Sequence, residues 1–224
     1  RQVNLDATLM LLEAARAQSR PPVFVFASSI AVLGGTFGDQ VDDTTPPHPE
    51  LTYGTQKLIG ELLVEDFTRH GWVDGRSVRL PGIVARPPQR TGQLSAFMSD
   101  IIRESAAGRP FVCPVSPDAT CWLMSVPCIV DNLLHAAVIP AEQCGDTRTW
   151  TLPALRCSMT QLVDAVAETF HTDARALVSY QPNPELEANF GRYPPLFTPA
   201  AEGAGFRHDG DLPTLVRQAL ALDP

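Results

Sequence analysis

A short, almost wholly apolar run, VFVFAS at residues 23–28, lies between two segments of helical periodicity. Residues 2–18 carry apolar side chains at helical spacing before the stop at Pro21 and Pro22, and residues 52–69 show the same spacing. A strand that is apolar at nearly every position is buried on both faces. Buried strands that alternate with helices form a parallel sheet covered by helices on both sides. The pattern therefore predicts a doubly wound α/β domain.

The rest of the chain continues this alternation. Residues 76–85 (RSVRLPGIVA) are expected to form the next buried strand, which ends before Pro87 and Pro88 because proline cannot donate to the sheet. Further helices are expected at 93–107, 127–139, 158–170 and 211–221. Strands are expected at 148–153 and 175–182, strands or an extended arm at 109–115 and 121–126, and an irregular Pro-rich stretch at 181–200.

Composition excludes several classes of function. A net charge of -8 leaves no basic surface for nucleic acid or for an anionic membrane. No apolar run approaches the roughly 20 residues that span a bilayer, and no secretory signal is visible. The 5 cysteines are odd in number and widely spaced, which is typical of reduced thiols in a cytoplasmic protein. Because the 5 histidines are also scattered singly, no metal site is expected.

Tyr53 and Lys57 lie four positions apart near the start of the 52–69 helix, and Lys57 is the only lysine in the sequence. Positions i and i+4 share one helix face, so the phenol and the ammonium can address one ligand. A nearby cation lowers the pKa of a phenol and makes it a usable acid or base. The alternative is an ordinary tyrosine at a helix start beside a surface lysine.

The apolar strand that begins at residue 23 ends in Ser28 and Ser29. Reactive groups of open parallel sheets gather at the carboxyl ends of the strands. Ser29 would then hydrogen-bond a substrate oxygen while Tyr53 moves its proton and Lys57 orients a cofactor ribose. The alternative for the two serines is simple capping of the loop.

The sequence resembles the extended short-chain dehydrogenases/reductases, the NAD-dependent epimerase/dehydratase family, through NLDATLMLLEAARA, VFASSIAVLGG, YGTQK, LPGIVARP and SVPCIVDNLLHAA, in family order. The resemblance implies NAD as cofactor and a Rossmann-like fold. It implies that Ser29, Tyr53 and Lys57 are catalytic. It implies cofactor contacts, besides Tyr53 and Lys57, from Asn4, Ala27, Ser28, Pro81, Gly82 and Ile83.

Within the family, the segment RLPGIVARP to CWLMSV is most similar to the D-erythronate dehydrogenase group and less closely to the L-threonine dehydrogenases. Both groups oxidise a secondary alcohol on a small carboxylate. Besides Ser29, the residues expected to contact such a substrate are Arg86, Gln93, Ser95 and Trp122. Arginine suits a carboxylate because its fork makes two parallel bonds. Arg86 is equally consistent with a solvated loop position, and Trp122 with the core.

The sequence departs from the family pattern at the start. A strand, a Gly-rich turn and a helix normally cradle the dinucleotide pyrophosphate, and this chain shows no such unit. GGTFG at 34–38 is followed by a Pro- and Asp-rich loop instead of a helix, so it is not expected to bind phosphate. We expect an N-terminally incomplete Rossmann-like part (1–85 and 126–150) and a substrate-binding part (86–125 and 151–224). We also expect that the full protein has the cofactor-cradling region.

Three alternatives in function stay open. One is a nucleotide-sugar epimerase or dehydratase, one is an L-threonine dehydrogenase-like enzyme, and the third is a non-catalytic NAD-binding regulatory or interaction module. The resemblance also implies a homodimer through the helices at 2–18 and 52–69, a small-molecule substrate, and no nucleic-acid or membrane partner.

Overall fold

The computed structural model describes residues 2–86, 94–145 and 148–221. Its α-helices are α1 (Ala7–Arg16), α2 (Thr52–Arg69), α3 (Phe97–Ala106), α4 (Val126–Val138), α5 (Met159–Phe170), α6 (Ala174–Leu177), α7 (Pro184–Phe190), α8 (Pro199–Gly203) and α9 (Leu212–Leu220). Its strands are β1 (Val23–Ser29), β2 (Asp74–Leu80), β3 (Gly82–Val84), β4 (Phe111–Cys113), β5 (Thr120–Ser125), β6 (Thr149–Thr151), β7 (Leu155–Ser158) and β8 (Val178–Tyr180). A π-helical turn at Gln2–Asp6 precedes α1, and 3-10 turns lie at Ile30–Leu33, Leu94–Ala96 and Ala141–Gln143.

The central sheet has the order β1-β2-β6, and all its pairings are parallel. Ser28 lies opposite Arg79 and Ser29 lies opposite Leu80, so β1 and β2 reach their carboxyl ends together. Phe26 of β1 packs with the helices on one face, while its neighbour Val25 packs with the core on the other. Side chains alternate between the two faces of a strand, so burial of both faces requires apolar residues at successive positions.

Helices cover both faces of this sheet. On one face, α1 and α2 contribute Leu12, Val64 and Phe67 to a cluster with Phe26. On the other face, α4 contributes Cys128, Ile129 and Ala136 to a cluster with Val78 of β2, Met124 of β5 and Trp150 of β6. The prediction of a doubly wound, Rossmann-like α/β fold with a parallel sheet is confirmed.

A second group of elements surrounds the carboxyl ends of the central strands. Its sheet has the order β3-β5-β7, with β3 parallel and β7 antiparallel to β5. The short pair β4 and β8 is parallel. Helices α3, α5 and α9 pack on one another and share the largest buried cluster, which includes Ile101, Leu162 and Leu215. The division of the chain into two parts at the predicted boundaries remains a prediction.

Three sequence-based expectations are wrong in detail. The single strand expected at 76–85 is two strands in different sheets, β2 and β3, separated by Pro81. Proline has no N–H to donate, so the strand breaks there. The stretch 181–200, expected to be irregular, contains α7 and the start of α8, and each helix has a proline in its first turn. Strand β7 was not expected, because it pairs with a strand distant in sequence.

The structure also describes the cysteines, the lengths of the helices and the grouping of potential metal ligands. All five cysteines are free and buried, as the scattered spacing predicted. Among residues 2–86, 94–145 and 148–221, no helix is long and apolar enough to cross a bilayer, and no cluster of His, Cys, Asp and Glu is arranged to hold a metal ion.

Candidate active site

A cleft of about 520 Å³ opens where β1 and β2 end, between the central sheet and the second group of elements. This volume lies within the range of sites for small molecules, about 300–1,000 Å³. The residues that line it are Ala27, Ser28, Ser29, Ile30, Ala31, Leu51, Tyr53, Lys57, Leu80, Pro81, Gly82, Ile83, Arg86, Leu94, Ser95, Met98, Trp122, Phe190 and Tyr193. The structure thus brings most of the predicted site residues into one cleft, although their roles stay predictions.

Two glycines allow α2 to lie close against the end of β1. A Cβ atom on Gly54 would overlap the carbonyl oxygen of Ala31, and one on Gly60 would overlap the ring of Phe26. Because neither residue carries a side chain, the first two turns of α2 approach β1 and the turn that follows it. This approach directs Tyr53 and Lys57 towards the cleft.

Lys57 is anchored by the backbone of β1. Its ammonium Nζ donates a hydrogen bond of 2.7 Å to the carbonyl oxygen of Ala27. The same Nζ lies 4.9 Å from the centroid of the Phe26 ring and 5.8 Å from that of Tyr53. Partial burial lowers the pKa of Lys57, because desolvation disfavours the charged form. Lys57 retains further donor hydrogens for a ligand in the cleft.

Tyr53 is the second titratable group of α2 in the cleft. Burial raises the pKa of its phenol, and a hydrogen bond from the Ser29 hydroxyl and the positive charge of Arg86 act in the opposite direction. The effect expected of the Lys57 cation on the pKa of Tyr53 stays a prediction. Desolvation prevails here, and the cation that opposes it is Arg86.

Ser29 has two structural functions at the end of β1. Its side chain accepts a hydrogen bond of 3.1 Å from the backbone N–H of Ala31, which caps the 3-10 turn at Ile30–Leu33. It also contacts the phenol of Tyr53. Ser29 therefore caps the turn, as the alternative interpretation of the sequence held, and also lies beside Tyr53.

Arg86 enters the cleft from the segment after β3. Its Nη2 donates to the Ser95 hydroxyl at 3.2 Å, and its backbone N–H donates to the Ser99 hydroxyl at 3.1 Å. Burial lowers the pKa of Arg86, while Tyr53 and Asp100 raise it. Ser95 stands on the 3-10 turn that begins α3. Arg86 and Ser95 therefore form one polar unit that faces the phenol of Tyr53.

The wall of the cleft that contains Trp122 and Tyr193 is aromatic. The rings of Trp122 and Tyr193 lie 4.7 Å apart, and Phe37 lies 5.5 Å from Trp122. The indole Nε1 of Trp122 donates to the carbonyl of Pro194 at 2.8 Å, so this tryptophan belongs both to the core and to the cleft. Tyr193 and Phe190 were missed from the sequence because they follow no motif and lie in the stretch read as irregular.

The apolar floor of the cleft depends on Gly82. A Cβ atom there would lie 2.9 Å from the carbonyl oxygen of Trp122 and 3.2 Å from the sulfur of Met98. Gly82 with Pro81 and Ile83 forms a surface that leads from β2 to β3. All three line the cleft, and their contact with a nicotinamide ring, which the family resemblance implies, stays a prediction.

Two predicted residues are not among those that line this cleft in the described part of the chain. Asn4 lies on the π-helical turn before α1 and donates a hydrogen bond of 2.8 Å to the Gln56 side chain, away from the lining. Gln93 lies outside the described residues. The GGTFG segment at 34–38 follows the 3-10 turn and precedes no helix before α2, in agreement with its exclusion as a phosphate loop.

The donor set fits the nicotinamide end of a dinucleotide. A ribose diol needs hydrogen-bonding groups side by side, and the Tyr53 hydroxyl and Lys57 ammonium meet that need. A flat ring needs an apolar surface, which Pro81, Gly82 and Ile83 provide.

A parallel sheet with a polar cleft at its carboxyl edge defines a doubly wound, nucleotide-binding class of protein. Comparison with known families makes the class specific: the profile of the NAD dependent epimerase/dehydratase family matches residues 1–122. The chain belongs to this family. Relatives named dehydrogenases support an oxidoreductase that uses a nicotinamide dinucleotide.

Relatives and solved structures agree with this assignment. The chain is 35% identical over 217 residues to D-erythronate dehydrogenase of Cupriavidus necator, covering 96% of this chain and 67% of that protein. It is 31% identical over 223 residues to D-erythronate dehydrogenase of Haemophilus influenzae, covering 99% of this chain and 71% of that protein. The crystal structure of a nucleoside-diphosphate-sugar epimerase from Agrobacterium tumefaciens matches with a TM-score of 0.90 and 30% identity, covering 99% of this chain and 66% of that one. The chain thus spans about two thirds of the length of these relatives.

Proposed function

We propose that the protein oxidises the secondary hydroxyl of a small hydroxy or sugar acid with NAD, most like D-erythronate to its 2-oxo acid. The observation that carries the proposal is the meeting of Tyr53, Ser29 and Arg86 in one cleft with an aromatic wall. An acid-base group, a donor for an alkoxide and a cation for a carboxylate are the three groups that such a substrate needs. The relatives named D-erythronate dehydrogenase favour this substrate.

In the proposed reaction, the substrate hydroxyl gives its proton to the Tyr53 phenolate. The Ser29 hydroxyl donates to the same oxygen and stabilises the developing negative charge. The positive charge of Lys57 would favour the phenolate once a ligand draws the ammonium towards the cleft. When bound, the nicotinamide supplies the acceptor for the hydride, and the protein supplies position and polarity.

Arg86 and Ser95 are proposed to bind the substrate carboxylate. The guanidinium is half-buried, faces Tyr53 and is oriented by the Ser95 hydroxyl at 3.2 Å. An arginine held in this way presents a planar pair of donors, and burial strengthens each bond. Trp122, Tyr193 and Phe190 would enclose the carbon chain.

The alternatives have weaker support. A nucleotide-sugar epimerase, favoured by the similarity to the Agrobacterium tumefaciens structure, needs cations for a diphosphate. Within the described lining, the basic side chains are Lys57 and Arg86, and both face Tyr53. An L-threonine dehydrogenase-like activity is favoured by 27% identity to the mitochondrial enzyme of Bos taurus. The presence of Ser29, Tyr53 and Lys57 together weighs against a non-catalytic NAD-binding module.

We also propose a homodimer formed by α1 and α2. Several large apolar side chains on these helices and the turn before α1 are exposed, among them Met10 at 73% and Leu62 at 57%. A cluster of this kind on neighbouring helices is typical of an interface with a second copy.

The decisive experiment is a screen for NADH formation by the full-length protein with four-carbon aldonates, L-threonine and UDP-sugars. We expect the highest kcat/KM with an aldonate and a loss of activity in Tyr53→Phe. Activity with none of the compounds, or activity unchanged in Tyr53→Phe, would refute the proposal. A parallel screen with NADP tests the choice of cofactor.

A further inference from the structure

Three successive residues of β1 are each bonded to α2. Ala27 accepts a hydrogen bond from Lys57 through its carbonyl oxygen, and Ser29 contacts the phenol of Tyr53. Ser28, between them, donates through its hydroxyl to Glu61 Oε1 at 2.5 Å. The end of β1 and the catalytic face of α2 are therefore joined at every residue.

The middle bond differs from the other two, because its acceptor is a buried charge. Glu61 is only 5% exposed, and its carboxylate accepts two hydrogen bonds from Arg79, from Nε at 3.0 Å and from Nη2 at 2.8 Å. Arg79 stands on β2 directly opposite Ser28 of β1. One carboxylate thus ties α2 to the carboxyl ends of two neighbouring strands.

Sequence spacing explains the alignment. Tyr53, Lys57 and Glu61 follow one another at intervals of four, so they lie along one face of α2. Tyr53 and Lys57 reach the cleft, whereas Glu61 lies one turn deeper against the sheet. Glu61 is too far along the helix to line the cleft. Its side chain contacts Ser28, which does line the cleft.

We propose that Glu61, with Arg79, is a positioning residue that holds Ser28 and thereby sets Ser29 and the Ala27 carbonyl in register with Tyr53 and Lys57. The proposal rests on the proposed function, because it assigns the register to the acid-base step. A buried ion pair contributes little net stability compared with apolar residues of similar size, so stability alone does not account for it. Precise placement of the reacting groups accounts for the buried pair, since a shift of about 1 Å can lower a rate by about 100-fold.

The test compares Glu61→Gln with the double variant Glu61→Leu/Arg79→Met. The single variant leaves the Arg79 guanidinium buried without its anion, so we expect a lower Tm. The double variant replaces the pair by apolar side chains and should recover Tm close to that of the wild type. Both lose the charged anchor of Ser28, so we expect kcat to fall at least about 10-fold in both, with each KM within about 3-fold.

Arg76→Met is the matched control. Arg76 is a buried arginine of the same strand that bonds Asp74 and the carbonyl of Ala136, at the end of β2 remote from the cleft. We expect this variant to lower Tm while kcat stays within about 2-fold of the wild type. A loss of kcat in Arg76→Met as large as that in the double variant would overturn the proposal.

Hydrogen exchange of the backbone amides of residues 24–33 provides a readout independent of turnover. We expect faster exchange in the double variant than in the wild type, and no such change in Arg76→Met. If the double variant regains Tm, kcat and slow exchange together, Glu61 has only a structural role and the proposal fails. If the wild type reduces NAD with none of the substrates, the proposed function fails, and the exchange comparison alone decides whether Glu61 anchors Ser28.

Discussion

The ammonium of Lys57 lies 2.7 Å from the carbonyl oxygen of Ala27, so the only lysine of the sequence joins the candidate catalytic helix to the end of β1. A lysine can make this bond and still present donors to the cleft, because its ammonium is compact and carries three hydrogens. An arginine is planar and longer, so it lacks the compact point donor that makes this contact. The solitary lysine among sixteen arginines is explained by this position.

The activity of a Lys57 variant should therefore depend on the shape of the new side chain as well as on its charge. We expect Lys57→Arg to lose on the order of 10²-fold in kcat/KM, nearly as much as Lys57→Met, because the guanidinium cannot reproduce the compact donor. The measurement is steady-state NADH formation with each variant. Arg69→Lys, an exposed change on the same helix, is the control and should leave activity unaltered. Full activity in Lys57→Arg would show that charge alone suffices.

The second prediction concerns Tyr53. Removal of its hydroxyl in Tyr53→Phe should lower kcat by roughly 10²- to 10⁴-fold, the usual range for an acid-base group. Binding of NADH, measured by fluorescence, should weaken much less, because the ring and Lys57 remain. Tyr180→Phe removes a hydroxyl from β8, outside the cleft, and should be silent. Equal losses in the two variants would argue against a chemical role for Tyr53.

The third prediction is a pH dependence. Burial raises the pKa of Tyr53 above its ordinary value of 10.0, so the phenol is neutral near pH 7. Oxidation requires the phenolate, and the rate should therefore increase as the pH rises through the alkaline range. The positive charge of Arg86 lowers this pKa, so Arg86→Met should move the rising limb to higher pH, whereas Arg86→Lys should largely keep it. If the rate of Arg86→Met rises at the same pH as that of the wild type, Arg86 does not lower the pKa of Tyr53.

The fourth prediction tests the close approach of α2. Gly54→Ala places a Cβ atom against the carbonyl oxygen of Ala31, so we expect the free energy of unfolding to fall by about 1–3 kcal/mol. Activity should fall as well, since the helix must shift away from Ser29. Gly38→Ala is the control: its Cβ would meet no atom within 4 Å, and we expect a change below about 0.5 kcal/mol. Urea unfolding measures the free energy of unfolding of both variants, and NADH formation measures their activity.

The fifth prediction concerns assembly. The charge in Met10→Glu or Leu62→Glu should be incompatible with an apolar contact between two copies, so each variant should sediment as a monomer if the wild type is a dimer. Val112→Glu, at an exposed apolar position on β4, is the control and should leave the association state unchanged. A wild-type protein that is monomeric at all concentrations would refute the proposed dimer.

Local patterns of the sequence were enough to predict much of the architecture. Helix α2 begins and ends at the expected residues, 52 and 69, because its apolar spacing is continuous between them. The core of β1 was predicted from one apolar run. Ser29, Tyr53 and Lys57 were identified because each lies at the end or start of such an element. Their convergence follows from the way parallel strands end at one edge of a sheet.

Contacts between distant segments could not be read in this way. The separation of β2 from β3 depends on which partner strand each one finds, and the aromatic wall depends on where the segment after α7 returns to the cleft. The effect of Arg86 on the pKa of Tyr53 could not be predicted either, because Arg86 reaches the phenol from a segment distant in sequence.

The sequence by itself determined the fold class, the family and the candidate reactive side chains, because periodicity and motif are local properties of the chain. Only the tertiary structure decided what those side chains touch: Glu61 beneath Ser28, Arg86 beside Tyr53, and Tyr193 across the cleft. These arrangements join residues distant in sequence, and such pairs are selected by packing and by the satisfaction of buried polar groups throughout the fold.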